Sequence, residues 1–255
     1  MKHTFKKQLL LLFLFLSASF AHGQLVNLGF PLNPGESKYY CNIAACNSGN
    51  DLWAVFQIYD TTYRQYRTKI CKNNGLFWTE YINFPSNVGN GTKVNATFYN
   101  GDLYFNNYYA NLNLNSVSYP SMNALLKWDG SSLTFVDSVK GDITDMDTFK
   151  NKLIISGNFS KVGTNSISKL AEYNGSTWSA LGSPADWVNF QPGFGSVQKQ
   201  GQLVNQGGML YITGNWSFVD ANKPRYYGLA KYDGSAISPV VNTEFTHVNF
   251  SYGQI

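Results

Sequence analysis

The sequence predicts an all-β chain made of repeated four-strand units, and three observations predict it. A short phrase recurs: Leu126-Lys127-Trp128-Asp129-Gly130-Ser131-Ser132 returns as Ala171-Glu172-Tyr173-Asn174-Gly175-Ser176-Thr177 and as Ala230-Lys231-Tyr232-Asp233-Gly234-Ser235-Ala236, with a degenerate copy at Ile70 to Leu76. A second phrase keeps step with it: Asp51-Leu52-Trp53-Ala54-Val55, Asp102-Leu103-Tyr104-Phe105, Lys152-Leu153-Ile154-Ile155 and Met209-Leu210-Tyr211-Ile212. Composition is the third: 17 Tyr, 18 Phe, 6 Trp and 23 Gly suit strands and turns, while 15 acidic and 19 basic residues leave few charges for helix faces.

The first phrase reads as strand, tight turn, strand, because Asn-Gly and Asp-Gly supply the positive φ of a two-residue hairpin. Gly75, Gly130, Gly175 and Gly234 are therefore expected to be structural turn glycines, spaced 55, 45 and 59 residues apart. The leucines of the second phrase are spaced 51, 50 and 57 apart. Two markers with similar periods define a repeat.

One period is filled by Val139 to Phe149, Lys152 to Ser156, Ser168 to Tyr173 and Thr177 to Leu181, each strand-like and bounded by turn residues. Four short strands in roughly 40–50 residues is the pattern of a β-propeller blade. The unbroken run Leu153-Ile154-Ile155 suits a strand buried on both faces between blades. Blades are expected over about 38–82, 84–138, 139–182 and 184–240, with a partial fifth at 241–255. Thr243 to Phe250 would open that fifth unit. Either the sequence is a piece of a longer exoprotein with an incomplete ring, or this strand inserts beside the first blade and closes a small one. The first alternative is favoured, because Lys38 to Ala45 already supplies an opening strand.

Leu170 to Gly182, preceded by Leu153 to Phe159, resembles a propeller repeat common in secreted and surface proteins of Bacteroidetes-type bacteria, similar in style to kelch and galactose-oxidase-like propellers. The resemblance covers about 123–240 well and 40–122 loosely. It is a scaffold motif and carries no catalytic residue across.

Residues 1–23 read as a secretory signal peptide: Lys2, Lys6 and Lys7, then the apolar Leu9 to Leu16, then a small-residue exit. The repeat domain is then 24–255, secreted or held at the cell surface with no membrane span after cleavage. Those three lysines belong to the formal charge of +4, so the mature chain has 16 bases against 15 acids and no basic stripe for nucleic acid.

Three cysteines remain. An odd count implies one bridge and a free thiol, or no bridge; Cys41–Cys46 would staple a loop, whereas Cys41 or Cys46 to Cys71 would join the first strand of the first blade to its third. With one histidine, His247, beyond the cleavage zone, neither a triad nor a zinc or copper site is expected. Gly141-Asp142-Ile143-Thr144-Asp145-Met146-Asp147 is the densest acidic run. It reads as a turn entering a strand, with no cofactor; Ca²⁺ at Asp142, Asp145 and Asp147 is the alternative.

Aromatics of loops or loop edges are the binding candidates: Tyr108, Tyr109, Trp187, Phe190, Tyr226 and Tyr227; the long segments 104–122 and 184–206 are the candidate binding face. Trp128, Tyr173 and Tyr232 share one repeated position and are expected to pack. The function expected is an exported, non-catalytic propeller displaying loops that bind a glycan, a matrix component or a surface protein. The alternative is an extracellular carbohydrate-active enzyme with acids in the funnel, drawn from Asp142, Asp145, Asp147, Asp186, Glu172 and Glu244.

Overall fold

The computed structural model describes residues 36–49, 51–74, 76–85, 94–109, 112–114, 116–120, 122–182, 201–216 and 226–240. The leader, Gly75 and the tail strand expected at 243–250 lie outside them, as do Trp187, Phe190, Asp186, Glu244 and His247.

The described chain is all-β and runs as antiparallel four-stranded meanders, of which the second and third share one strand and so form a single seven-stranded hydrogen-bonded sheet. The first sheet is β1 (Glu36–Ser48), β2 (Asp51–Asp60), β3 (Gln65–Asn73) and β4 (Trp78–Pro85). The second begins with β5 (Asn95–Tyr99) and β6 (Asp102–Tyr109). A small hairpin, β7 (Leu112–Leu114) with β8 (Val117–Tyr119), separates these from β9 (Met122–Trp128). Strand β10 (Leu133–Phe149) pairs with β9 up to Val139 and with β11 (Lys152–Val162) from Val139 onward. It is thus the last strand of the second sheet and the first of the third. The third sheet continues through β12 (Leu170–Tyr173) and β13 (Trp178–Ala180). The fourth is β14 (Leu203–Gln206), β15 (Met209–Trp216), β16 (Tyr226–Tyr232) and β17 (Ile237–Pro239).

The β10–β11 ladder bends where Gly141 has φ 122° and Gly157 meets the Asp142 carbonyl, with no room for a Cβ at either.

Sheets stack face to face, with opening strands in contact: β1 with β5, β5 with β10, β10 with β14. Strand alternation dictates the core. In β11, Leu153 and Ile155 face the second sheet, beside Tyr104 and Leu125, whereas Ile154 faces the fourth, beside Leu210 and Ile212. In β6, Leu103 and Phe105 face the first sheet and Tyr104 the third. Each such side chain contributes roughly 1.5–3 kcal/mol of burial. The repeated aromatics pack against the preceding sheet: Trp128 on Trp53 (5.2 Å), Tyr173 on Tyr104 (6.5 Å), Tyr232 on Phe149 (5.7 Å).

The turns correct one expectation. The Asx-Gly phrase closes four-residue loops, not two-residue hairpins. Asp129 Oδ1 accepts the N–H groups of Ser131 and Ser132, and Asn174 and Asp233 do the same two and three residues on. Gly130, Gly175 and Gly234 have φ of 97°, 99° and 101°. Two-residue turns with both φ positive instead join the strands of the second phrase: Asn100-Gly101, Lys150-Asn151 and Gly207-Gly208.

Neither Cys41–Cys46 nor Cys46–Cys71 is reachable. Cys41 and Cys46 are paired across from Ile58 and Trp53 on the single strand β1, which spaces them about 16 Å apart. Cys46 faces the second sheet, whereas Cys71, on β3, faces the opposite side with Ala54, Phe56 and Ile58. Cys46 and Cys71 are free thiols. On the Cys71 side the buried Lys69 ammonium lies 2.6 Å from each of the Glu36 and Glu80 carboxylates, the pairing a buried charge requires.

Candidate functional site

A cleft of about 250 Å³ opens at the turn end of the opening strands, where three sheets meet. The second sheet supplies Phe98, Tyr99 and Asn100, the third Thr148 to Asn151, the fourth Asn205. Its walls follow from turn chemistry. Asn100 (φ 52°), Lys150 (φ 46°) and Asn151 (φ 57°) occupy the left-handed region that a two-residue hairpin demands; Asn tolerates it, and Lys rarely adopts it.

Hydrogen bonds knit the walls. The Tyr99 hydroxyl donates to the Asn151 carbonyl (3.2 Å), and the Asn205 amide donates to the Thr148 carbonyl (2.7 Å). Lys150 reaches the next sheet, where its ammonium donates to the Asp233 carbonyl and lies 5.6 Å from the Phe149 ring centroid. The Asp233 carboxyl is held down at about 2, first by the N–H groups of Ala236 and Ser235 and the Ser235 hydroxyl, then by Lys150. Amides, hydroxyls, aromatic rings and the Lys150 chain make up this wall, and among the described residues no carboxylate lines it. Such a wall can exchange hydrogen bonds with hydroxyl groups and cover a ring face.

The acidic run does other work. The Asp145 and Asp147 carboxylates accept the backbone N–H groups of Leu203 (2.9 Å) and Asn205 (3.0 Å), fastening β14 to β10. Burial pushes the Asp147 carboxyl upward, opposed by the N–H groups of Thr148 and Asn205. Asp142 is exposed and accepts from the Asn123 amide at 3.3 Å. Among the described residues no three His, Cys, Asp or Glu side chains gather as a metal site. Glu172 is paired with Lys152 at 2.5 Å on the third strand of its sheet.

The loop aromatics are placed differently from expectation. Strand β6 runs on through Tyr108 and Tyr109, so alternation drives Tyr109 into the interface of the first two sheets, where it is 0% exposed and 6.3 Å from the Phe84 ring. Its hydroxyl is pushed up by burial. Tyr108 is half-buried. Tyr226 and Tyr227 open β16, paired with Trp216 and Asn215. Asn205, expected within a long loop, belongs to β14. Sequence reasoning missed it because four residues with polar Asn and Gln carry little strand signal. It also missed Lys150-Asn151 as a wall; the signal was its place between two apolar strands.

No family model matches the chain, and no curated protein matches it. Solved structures resemble it in fold. The Bacteroides ovatus xyloglucan PUL protein GH43B is 10% identical over 79% of this chain and 41% of its own, with a TM-score of 0.41, so this chain spans about two fifths of that protein. An α-L-arabinofuranosidase of Clostridium thermocellum is 8% identical over 78% of this chain and 71% of its own, at 0.40. The β-propeller domain of the Trilobed protease of Pyrococcus furiosus is 10% identical over 80% and 84%, at 0.34. At these identities and scores the likeness says nothing of a reaction.

Proposed function

We propose that this chain is an exported, kelch-like propeller that binds a neutral carbohydrate in the cleft of Tyr99, Asn100, Thr148, Asn151 and Asn205. The observation that carries the reading is the wall itself: uncharged donors and acceptors beside aromatic rings, with the single cation turned toward Asp233. Hydrolysis is the second reading. Asp145 and Asp147 stand two residues apart on one strand face, a spacing of about 7 Å that suits a glycosidase pair. Both carboxylates, however, accept backbone N–H groups from β14, and binding is favoured for that reason.

The test is a glycan array probed with chain recovered from the exported fraction, whose mass reports loss of residues 1–23. Bound glycans are then titrated against an Asn100→Gly, Asn151→Gly double variant. Glycine keeps both left-handed turns and removes only the amides. Affinity should fall about tenfold, or about 1.4 kcal/mol. Binding that is indifferent to the variant, or an array with no bound glycan, overturns the site. Release of reducing ends over time would favour the second reading.

A further inference from the structure

We infer that the turn-side edge of the first sheet is a second, aromatic subsite for the same ligand, taking the apolar faces of successive sugar rings that run outward from the cleft; this rests on the carbohydrate reading above. The first sheet departs from its sisters at one loop. At the two positions where the others have Ser131-Ser132, Ser176-Thr177 and Ser235-Ala236, it has Leu76-Phe77. The loop is closed by the same bonds, Leu76 N–H and Phe77 N–H to Asn74 Oδ1 at 3.0 and 3.1 Å. Closure therefore does not require apolar side chains, yet Leu76 is 87% and Phe77 60% exposed.

Farther along the same edge strand the register slips between Ile70 and Cys71, leaving Tyr81 as the extra residue of a β-bulge. Bulges re-aim side chains. Tyr81 remains 48% exposed while its ring packs on Trp53 at 5.2 Å and Trp128 at 5.4 Å. Trp53 in turn meets Phe98 at 5.7 Å, and Phe98 lines the cleft. The buried Trp53 thus joins the cleft wall to Tyr81, whose ring is exposed at the outer edge.

The Lys72–Asp51 ion pair (2.9 Å) borders these rings, with the ammonium 5.4 Å from the Trp53 ring centroid. Both partners are partly exposed, and their charges cancel. The exposed Tyr81 and Phe77 rings beside compensated polar groups match a neutral, hydroxyl-edged chain of rings. An apolar protein partner would call for a broad patch, and Trp53 and Trp128 are already buried beneath this one.

The experiment titrates the full exported chain with cellulose-, xylan- and mannan-derived oligosaccharides, from dimers to hexamers. One variant combines Leu76→Ser and Phe77→Ser, restoring the sister-loop sequence; another is Tyr81→Leu, which keeps apolar packing without the ring. Hexamer affinity should fall about tenfold in each, with dimer affinity unchanged, whereas Asn100→Gly with Asn151→Gly should weaken both lengths. If the wild type binds dimers and hexamers yet neither edge variant changes hexamer affinity, the inference falls and the cleft reading stands. If no length binds, both fall. If the serine variant turns a dimeric protein monomeric without changing glycan affinity, the edge is a self-association surface and the inference is overturned.

Discussion

Asn74, Asp129, Asn174 and Asp233 each stand in for a missing backbone acceptor, taking the N–H groups of the residues two and three positions on. The N–H and hydroxyl of Ser132, then those of Ser131, hold the Asp129 carboxyl far below the usual carboxylate range. The recurring Asx-Gly pair was legible because glycine and Asx punctuate turns. Loop length was not, since a side-chain acceptor and a backbone acceptor leave the same trace in a sequence. Gly175 isolates the backbone part. A Cβ there would find nothing nearer than the Tyr99 hydroxyl at 3.6 Å, so Gly175→Ala suffers only from φ at 99°. It should lose about 1–2 kcal/mol of stability by urea denaturation. An unchanged midpoint would mean that the loop relaxes freely.

Strands were legible where both faces are buried and illegible where they are short or polar. Leu153-Ile154-Ile155 announces itself; β14 and the β7–β8 hairpin do not. Tyr109 was misplaced because β6 outruns the turn residues that seemed to end it. Neighbouring strands carry a further regularity: Asp51–Lys72 and Asp102–Lys127 recur in the third sheet as Lys152–Glu172, with the charges exchanged. The register of β1 and β3 also bears on pH. Burial pushes the Cys46 and Cys71 thiols up from 9.0 to about 12. Unfolded thiols lose their protons first as pH rises, so the thiol-linked stability is complete below pH 9 and is lost toward pH 12. The urea midpoint should fall above pH 9, and less steeply in a Cys46→Ala, Cys71→Ala double variant. Parallel curves for the two proteins would show that ionisation of these thiols is not linked to unfolding.

At the scale of the molecule, the period was legible and the cleft was not. Its walls come from three sheets, with Asn100, Asn151 and Asn205 each separated by half a hundred residues and each doing ordinary turn or strand work. Nothing local marks their meeting. The sheets also differ in how they are joined. Repeat arrays ordinarily behave as units coupled through their interfaces. Here β10 belongs to two sheets at once, and Val139 pairs with both Asn123 and Val162. Peeling β9 from one end of β10 frees the chain that anchors β11 at the other. The middle of the molecule should therefore open as a single cooperative block. Native-state amide exchange would report one shared opening free energy for β9, β10 and β11; two well-separated values would show that the junction at Val139 hinges instead of transmitting.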